Sequence, residues 1–340
     1  MDRTRWIRIG VGFVVLFLLG VFLKLARPIL VPFALALLFA FAVSPVLAFL
    51  VRWKVPKTLA LVVVLILSFA FLYLIGTVFY AGGKSLASEL PSYNEMVRSS
   101  LERIDRLMPD PRLKIGVTEW VQGFNVAKAG SFLLAALGPF LAFMSDLLLV
   151  FVFMIFILAG RGRLALKLAD AFPPGQASTL GLAATRIDSE VQRYVAVKTL
   201  TNLAIGGLTA TVRGVFGVRF AVVFGVLAFF VNYVPTLGPV VAVALPVVLA
   251  VFLEGGVTWK VAVVLALLVA AHAAAHALLE RRLMKRTPAL SPLLVLFSLF
   301  FGAWRWGIPG MFLAVPMLTA VRIVFENVPS LRAIGALMGR

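Results

Sequence analysis

Stretches of about twenty apolar residues with little or no charge recur along this chain, over 6–23, 29–50, 58–80, 131–159, 195–212 and 258–279. A helix needs about 20 such residues to cross the roughly 30 Å of hydrocarbon in a bilayer. In that solvent every backbone N–H and C=O must find its partner inside the chain, so each stretch is predicted to fold as a helix. The composition agrees: 62% of the 340 residues are hydrophobic, only 14% are charged, and the mean hydropathy is +1.06. The predicted fold is an all-α polytopic membrane protein with about six full spans. The first run follows a basic Met1–Trp6 segment, as in a signal peptide. It is long, however, ends in LKLARP without a small-residue cleavage site, and is followed by further spans, so an uncleaved first span is expected. The chain has no cysteine, which excludes disulfides and thiolate metal sites.

A net charge of +18 in a soluble chain would point to nucleic acid. Here the cations sit in short connections between apolar runs: Arg3, Arg5 and Arg8; Arg52, Lys54 and Lys57; Arg161, Arg163 and Lys167; Arg281, Arg282, Lys285 and Arg286. Cytoplasmic loops are retained by this pattern, and contact with anionic membrane lipid follows from it. It places the N-terminus in the cytoplasm and argues against a nucleic-acid partner. Between Lys84 and Lys128 seven basic residues face six acidic ones, a net of +1. That segment therefore reads as exported, and Leu90, Tyr93, Met96, Val97, Leu101, Ile104 and Leu107 give it an amphipathic helical face. The expected organisation is a three-span unit over 1–80, an exported helical insert over 84–128, and a transport core over 131–340.

Two apolar segments of the core are interrupted at their centres. Residues 220–252 carry NYVPTLGP, and residues 291–326 carry GAWRWGIPG. In both, the arms are expected to be too short to cross the membrane alone. Broken backbone at membrane depth is tolerated only where protein or a water-lined cavity satisfies it, and paired breaks mark transport sites. Two re-entrant hairpins are expected, with kinked full helices as the alternative. Asn232, Tyr233, Pro235, Thr236, Gly238 and Pro239 are the candidate pathway residues of the first break. Gly307 and Pro309 are those of the second, whose cluster also includes Gly302 and Gly310. Asn232, Tyr233 and Thr236, with the carbonyls freed nearby, suit a small polar solute.

Ionisable groups at membrane depth are costly, by at least about 2.5 kcal/mol each on insertion scales, and so are functional candidates. His272, His276 and Glu280 recur every four residues on one helical face, where they can pass protons or hold a cation. Asp146 is the acid well inside the fourth span. These four are the candidates for ion coupling. If Glu280 is structural instead, Arg281 or Arg282 is its expected partner. HAAAH has the histidine spacing of a zinc-protease helix without its glutamate, and AGGKS lacks the earlier glycine of a phosphate loop. No nucleophile–base pair stands out among two histidines and few acids, so neither an enzyme, a cofactor nor a metal site is expected.

ARPILVPFALALLFAFAVSPVL near the start, YVPTLGPVVAVALPVVLA in the middle and LSPLLVLFSLFFGAWRWGIPGMFLAVPM near the end lie in order along the chain, with the exported insert between spans three and four. Together these motifs resemble the autoinducer-2 exporter family of bacterial membrane transporters over almost the whole length. The resemblance implies a location in the bacterial cytoplasmic (inner) membrane, secondary transport, and a homo-oligomer for which a pentamer is one candidate. It also implies either export of a small polar solute such as the quorum-sensing signal autoinducer-2, or sodium/proton antiport. A membrane scaffold without transport is the third reading. Within HALLERRLMKR the chain keeps Glu280, but it departs from the family's common pattern of Asn residues, Glu-Pro and Gly through His276, Ala277, Arg281 and Lys285.

Overall fold

The computed structural model describes residues 3–107, 147–160, 170–171, 173–253, 258–284, 290–328 and 331–339. The described chain is helical throughout, apart from turns and one bridge between Leu290 and Gly339. The elements are α1 (Arg3–Leu25), α2 (Arg27–Arg52), α3 (Lys57–Leu107), α4 (Leu147–Gly160), α5 (Pro174–Val215), α6 (Ala221–Val231) and α7 (Leu237–Leu253). They continue with α8 (Trp259–Ala275, extended by a π turn at His276–Glu280 and by Arg281–Leu283), α9 (Pro292–Trp306), α10 (Ile308–Asn327) and α11 (Arg332–Leu337).

Five of these helices are long and apolar enough to cross a membrane: α2, Lys57–Ser85 of α3, Ala177–Val215 of α5, Trp259–Leu283 of α8, and α10. The protein is thus an all-α polytopic membrane protein. The expected boundary between span three and the exported insert is absent from the backbone, because α3 runs unbroken for 51 residues through AGGKS to Leu107. The remainder of that insert, and Asp146 with it, lies outside the described residues. The helix that carries span five begins well before the predicted bound of 195, at Pro174, and runs continuously to Val215.

The chain forms two compact units, each assembled from segments distant in sequence and so partitioned differently from the consecutive domains expected above. The first comprises residues 1–65, 146–196 and 286–340; the second comprises 66–145 and 197–285. In the first, Leu38 and Phe41 of α2, Val191 and Val195 of α5, Trp306 of α9 and Leu313 of α10 form a buried core. Pro45 cannot donate to the carbonyl four residues before it, that of Phe41. The Ser44 hydroxyl donates to this carbonyl at 2.8 Å and itself accepts from Gln192 of α5 at 2.6 Å. A proline kink is thereby satisfied inside the unit and fastened to a second helix.

The break at GAWRWGIPG is a hairpin turn rather than a kink. A Cβ on Gly302 would lie 2.4 Å from the Gly310 carbonyl oxygen, whereas residues eight apart in one continuous helix stand about 12 Å apart. The reversal occurs at Gly307, whose φ of 67° and ψ of −144° are open to glycine alone. The expectation of two short arms is corrected here: α10 has 20 residues, enough to cross. Pro309 stands at its first turn, where a missing N–H costs nothing, so the helix begins immediately after Gly307.

In the second unit α5 and α6 meet backbone to backbone. A Cβ on Gly206 would approach the Gly225 carbonyl oxygen to 2.6 Å, and one on Gly225 would approach that of Gly206 to 2.6 Å. Such small-residue contacts let helices pack where lipid removes the hydrophobic drive to associate. The neighbouring Gly207 has open space at the same point. Gly206→Ala is therefore expected to destabilise the protein by about 1–3 kcal/mol through overpacking. Gly207→Ala should be neutral, or stabilising by up to about 1 kcal/mol from helix propensity. Thermal unfolding of the two variants in detergent, side by side, measures the difference.

Candidate functional site in the second helical unit

The first break is a tight connection between α6 and α7. Ala228 and Ala242, on opposite sides of it, join Ile205 of α5 and Ala275 of α8 in one buried cluster, so the two arms pack together. A Cβ on Gly238 would lie 2.3 Å from the Val231 carbonyl oxygen, which explains glycine at this close approach. Thr236 holds φ at 63°, a conformation that a β-branched residue rarely adopts. Its hydroxyl bonds the Pro235 carbonyl at 2.6 Å. Thr236 is exposed and Pro235 and Pro239 are partly so, whereas Asn232 and Tyr233 are buried.

The two buried side chains connect the turn to its neighbours. The Tyr233 hydroxyl lies 2.7 Å from that of Thr199 on α5. Asn232 donates through Nδ2 to the Ala228 carbonyl at 2.7 Å, and the same nitrogen stands 3.4 Å from Nε2 of His272 on α8. The other ring nitrogen of His272, Nδ1, lies 2.9 Å from the Leu268 carbonyl one turn earlier. One turn later, Nδ1 of His276 bonds Oε2 of Glu280. The expected partner of Glu280, Arg281 or Arg282, is replaced by a residue that the sequence reading passed over. Lys198 of α5 places its ammonium 3.1 Å from Oε1 and 3.3 Å from Oε2. The Lys198 side chain is 5% exposed and that of Glu280 is 22% exposed. On its open side Glu280 borders a cleft of about 310 Å³ shared with His276, Arg281 and Met284.

The π turn at His276–Glu280 belongs to this geometry. One surplus residue in the helix widens the turn, a feature concentrated at functional sites. Of the sequence candidates, the structure brings together Asn232, Tyr233, His272, His276 and Glu280. Gly307 and Pro309 belong to the first unit, where they form the hairpin already described.

The sequence reading also missed most of a polar face on α5. Lys198, Thr201, Asn202, Thr209 and Arg213 are all buried there, at exposures from 0 to 4%. Their spacings of three, one, seven and four residues keep them on one side of the helix, within about a third of its circumference. Thr199 meets Tyr233, and Gly206 abuts Phe229. Asn202 lies between those two contacts on the same face, which puts it level with Asn232.

Few of these groups are satisfied. Among the described residues nine buried side-chain polar atoms lack a protein partner, and seven of them lie in this unit: Thr201 Oγ1, both amide atoms of Asn202, Thr209 Oγ1, Arg213 Nε, Asn232 Oδ1 and His276 Nε2. By contrast Thr185, Thr211 and Thr319 each bond a carbonyl of their own helix. An unpaired buried polar group costs about 1–3 kcal/mol, so a concentration of them marks a place where stability gives way to another demand. Arg213 stands at the far end of the face. It donates to the carbonyls of Pro246 and Arg219, each at 2.8 Å, and lies 4.3 Å from the centre of the Phe224 ring. Although it stands close to the connection between α5 and α6, it is a buried clamp. No cluster of three or more potential metal-ligating side chains occurs among the described residues.

Helical spans enclosing a line of buried, partly unsatisfied polar groups define a polytopic membrane protein with a polar interior. The comparisons give the class its particular form: the AI-2E family transporter model matches residues 11–330, and the chain belongs to that family. It is 29% identical over 332 residues to the AI-2 transport protein TqsA of Escherichia coli K12, covering 97% of this chain and 94% of that one. It is 28% identical over 314 residues to the YhhT protein of the same strain, covering 92% and 89%. A Borreliella burgdorferi relative is 28% identical over 327 residues, covering 96% and 88%. The protein is accordingly a multi-pass membrane transporter.

The bond between Thr199 and Tyr233 is the direct polar link from α5 to the turn. A double-mutant cycle of Thr199→Val and Tyr233→Phe, read by thermal unfolding, is expected to give a coupling of about 0.5–1.5 kcal/mol, the net worth of one such bond. Simple additivity would show that the turn is held by packing alone.

Proposed function

We propose that the protein is a secondary transporter that exports a small, uncharged polar solute, such as autoinducer-2, along the polar face of α5 past the turn at Asn232. The single observation that carries this reading is Asn202, fully buried with neither its amide oxygen nor its nitrogen paired in the protein. An amide offering both donors and acceptors fits a solute that carries hydroxyl and carbonyl groups. The charged groups nearby already neutralise one another, with Glu280 held between Lys198 and His276. A cationic solute would find that carboxylate already engaged. The name of the 29% identical relative, an AI-2 transport protein, supports autoinducer-2 as the first substrate to try.

The same reading places the protein in the bacterial cytoplasmic membrane with its N-terminus in the cytoplasm, in contact with lipid, and working as a homo-oligomer driven by an ion gradient. His272, His276, Glu280 and Asp146 are the groups proposed for that coupling. The turn residues Pro235, Thr236, Gly238 and Pro239, and the hairpin residues Gly307 and Pro309, are proposed to shape the path. Both helical breaks are proposed to be re-entrant. Sodium/proton antiport is the second reading, favoured by Glu280 of α8, the carboxylate that meets this face at Lys198.

Parallel flux of autoinducer-2 and sodium in proteoliposomes, wild type against Asn202→Leu, tests the proposal. The variant should unfold at the wild-type temperature or above it, because an unpaired amide is removed. Its solute flux should fall at least about tenfold, the equivalent of one or two hydrogen bonds of ~1–1.5 kcal/mol. Sodium flux in the wild type together with silence toward the solute would replace this reading by the second.

A further inference from the structure

We infer that Glu280 and His276 form a cation site whose resident cation is the chain's own Lys198 ammonium, and that removing this ammonium converts the place into a binding site for sodium. Glu280 is the carboxylate at the meeting point of α5 and α8, and both of its oxygens are engaged. Lys198 reaches Oε1 at 3.1 Å and Oε2 at 3.3 Å, while His276 also bonds Oε2. The ammonium comes from the opposite helix and is almost fully enclosed, with a side-chain exposure of 5%. Glu280, by contrast, borders the cleft that it shares with His276, Arg281 and Met284. A hydrated cation entering this cleft therefore reaches the carboxylate from its open side, but finds the charge already balanced from the closed side.

A carboxylate in a poorly solvated place must be either protonated or paired with a cation, and the chain can supply a cation covalently or accept one from solution. A tethered ammonium is present at fixed effective concentration and does not dissociate. Sodium can take its place only by leaving a buried ammonium unpaired. The site is therefore closed to alkali cations while Lys198 stands in it. Without Lys198, the oxygens of Glu280 and the water of the adjoining cleft offer the hard oxygen ligands that sodium prefers. Nearby charge adds a second filter. Arg281 lines the same cleft, so any cation bound there is bound against a neighbouring positive group.

The inference goes beyond the proposed transport function and does not depend on it, because cation binding is read on the purified full-length protein whether or not any solute is carried. Thermal unfolding is followed in detergent while sodium is titrated against choline at constant ionic strength. Four proteins are compared: wild type, Lys198→Met, Lys198→Arg, and the double variant Lys198→Met/Glu280→Gln. Methionine keeps the unbranched stem and removes the charge; arginine keeps the charge. The melting temperature of Lys198→Met is expected to rise saturably with sodium, by about 2–4 °C or more. Wild type, Lys198→Arg and the double variant are expected to show no saturable rise.

If Lys198→Met is recovered only when sodium is present throughout, and the double variant is recovered without it, the same conclusion is read at the level of folding. A wild-type protein that sodium stabilises saturably, with the effect lost in Glu280→Gln, would overturn the inference. So would a folded Lys198→Met indifferent to sodium, or a Lys198→Met that is lost in both salts while the double variant folds.

Discussion

Hydrocarbon cannot hydrogen-bond to a peptide group, and every irregular feature of this protein is arranged around that fact. Where Pro45 frees the Phe41 carbonyl, Ser44 takes it, and Gln192 takes Ser44 in turn. Where the chain reverses at Gly307, the whole reversal is compressed into one glycine, and Pro309 follows at a position that needs no N–H. At Asn232 the backbone N–H reaches the Ala228 carbonyl at 3.2 Å and the side-chain Nδ2 bonds the same oxygen at 2.7 Å, so the last turn of α6 is closed twice over. At these described departures from regular helix, a side chain or a residue suited to the turn is in place to receive the backbone.

Side chains on the inner face of α5 depart from that economy. Among the described residues Thr201, Asn202 and Thr209 keep unpaired polar atoms at full burial. Their positions could be apolar without harm to the fold: the buried Ile205 occupies the same face between them. The charged members of the face behave differently. Lys198 has its carboxylate, and Arg213 has two carbonyls and an aromatic ring. Charges inside hydrocarbon are too costly to leave open, whereas a neutral amide or hydroxyl can stay open at about 1–3 kcal/mol. What remains available in the interior is thus mainly neutral hydrogen-bonding capacity, and this is the physical reason for a proposed solute that is polar but uncharged.

The fold class was legible in the sequence because membrane spans announce themselves by length and lack of charge. Both helical breaks were legible as well, since Gly and Pro at the centre of an apolar run have few other uses. The lengths of the arms were not. They depend on which glycine of GAWRWGIPG takes the positive φ, and Gly307 lies off centre. Within the site, His272, His276 and Glu280 stood out because ionisable residues are rare in α8. Their partner Lys198 did not, although it lies inside the predicted span 195–212, because it follows closely on the polar residues from Ser178 to Arg193. Its burial follows from the helix continuing without a cap from Pro174 to Val215, which periodicity alone does not reveal. The available signal was the spacing of Lys198, Thr201, Asn202, Thr209 and Arg213 on one face, a polar stripe inside an otherwise apolar span.

Asn202 is fully buried, so a solute can reach it only if one wall of the polar face moves. The contact between α5 and α6 is the least able to do so. Gly206 and Gly225 bring the two backbones into direct contact, and any sliding drives a carbonyl into a Cα. On the other side stands α8, with a surplus residue in its π turn beside an open cleft. The π turn marks α8 as the wall whose hydrogen-bond ladder is already irregular, at a kind of feature that is frequent at functional sites. The polar tie from α5 across to this wall is the pair of Lys198 with Glu280, and Glu280 is the last residue of the π turn. Opening of the polar face, on this reasoning, is a movement of α8 that must stretch or release that ion pair. Release leaves both charges needing water or a replacement partner at the same moment, so the opening is tied to what the cleft then supplies. On the proposed reading, the pair of Lys198 with Glu280 is therefore the tie that such a movement has to loosen.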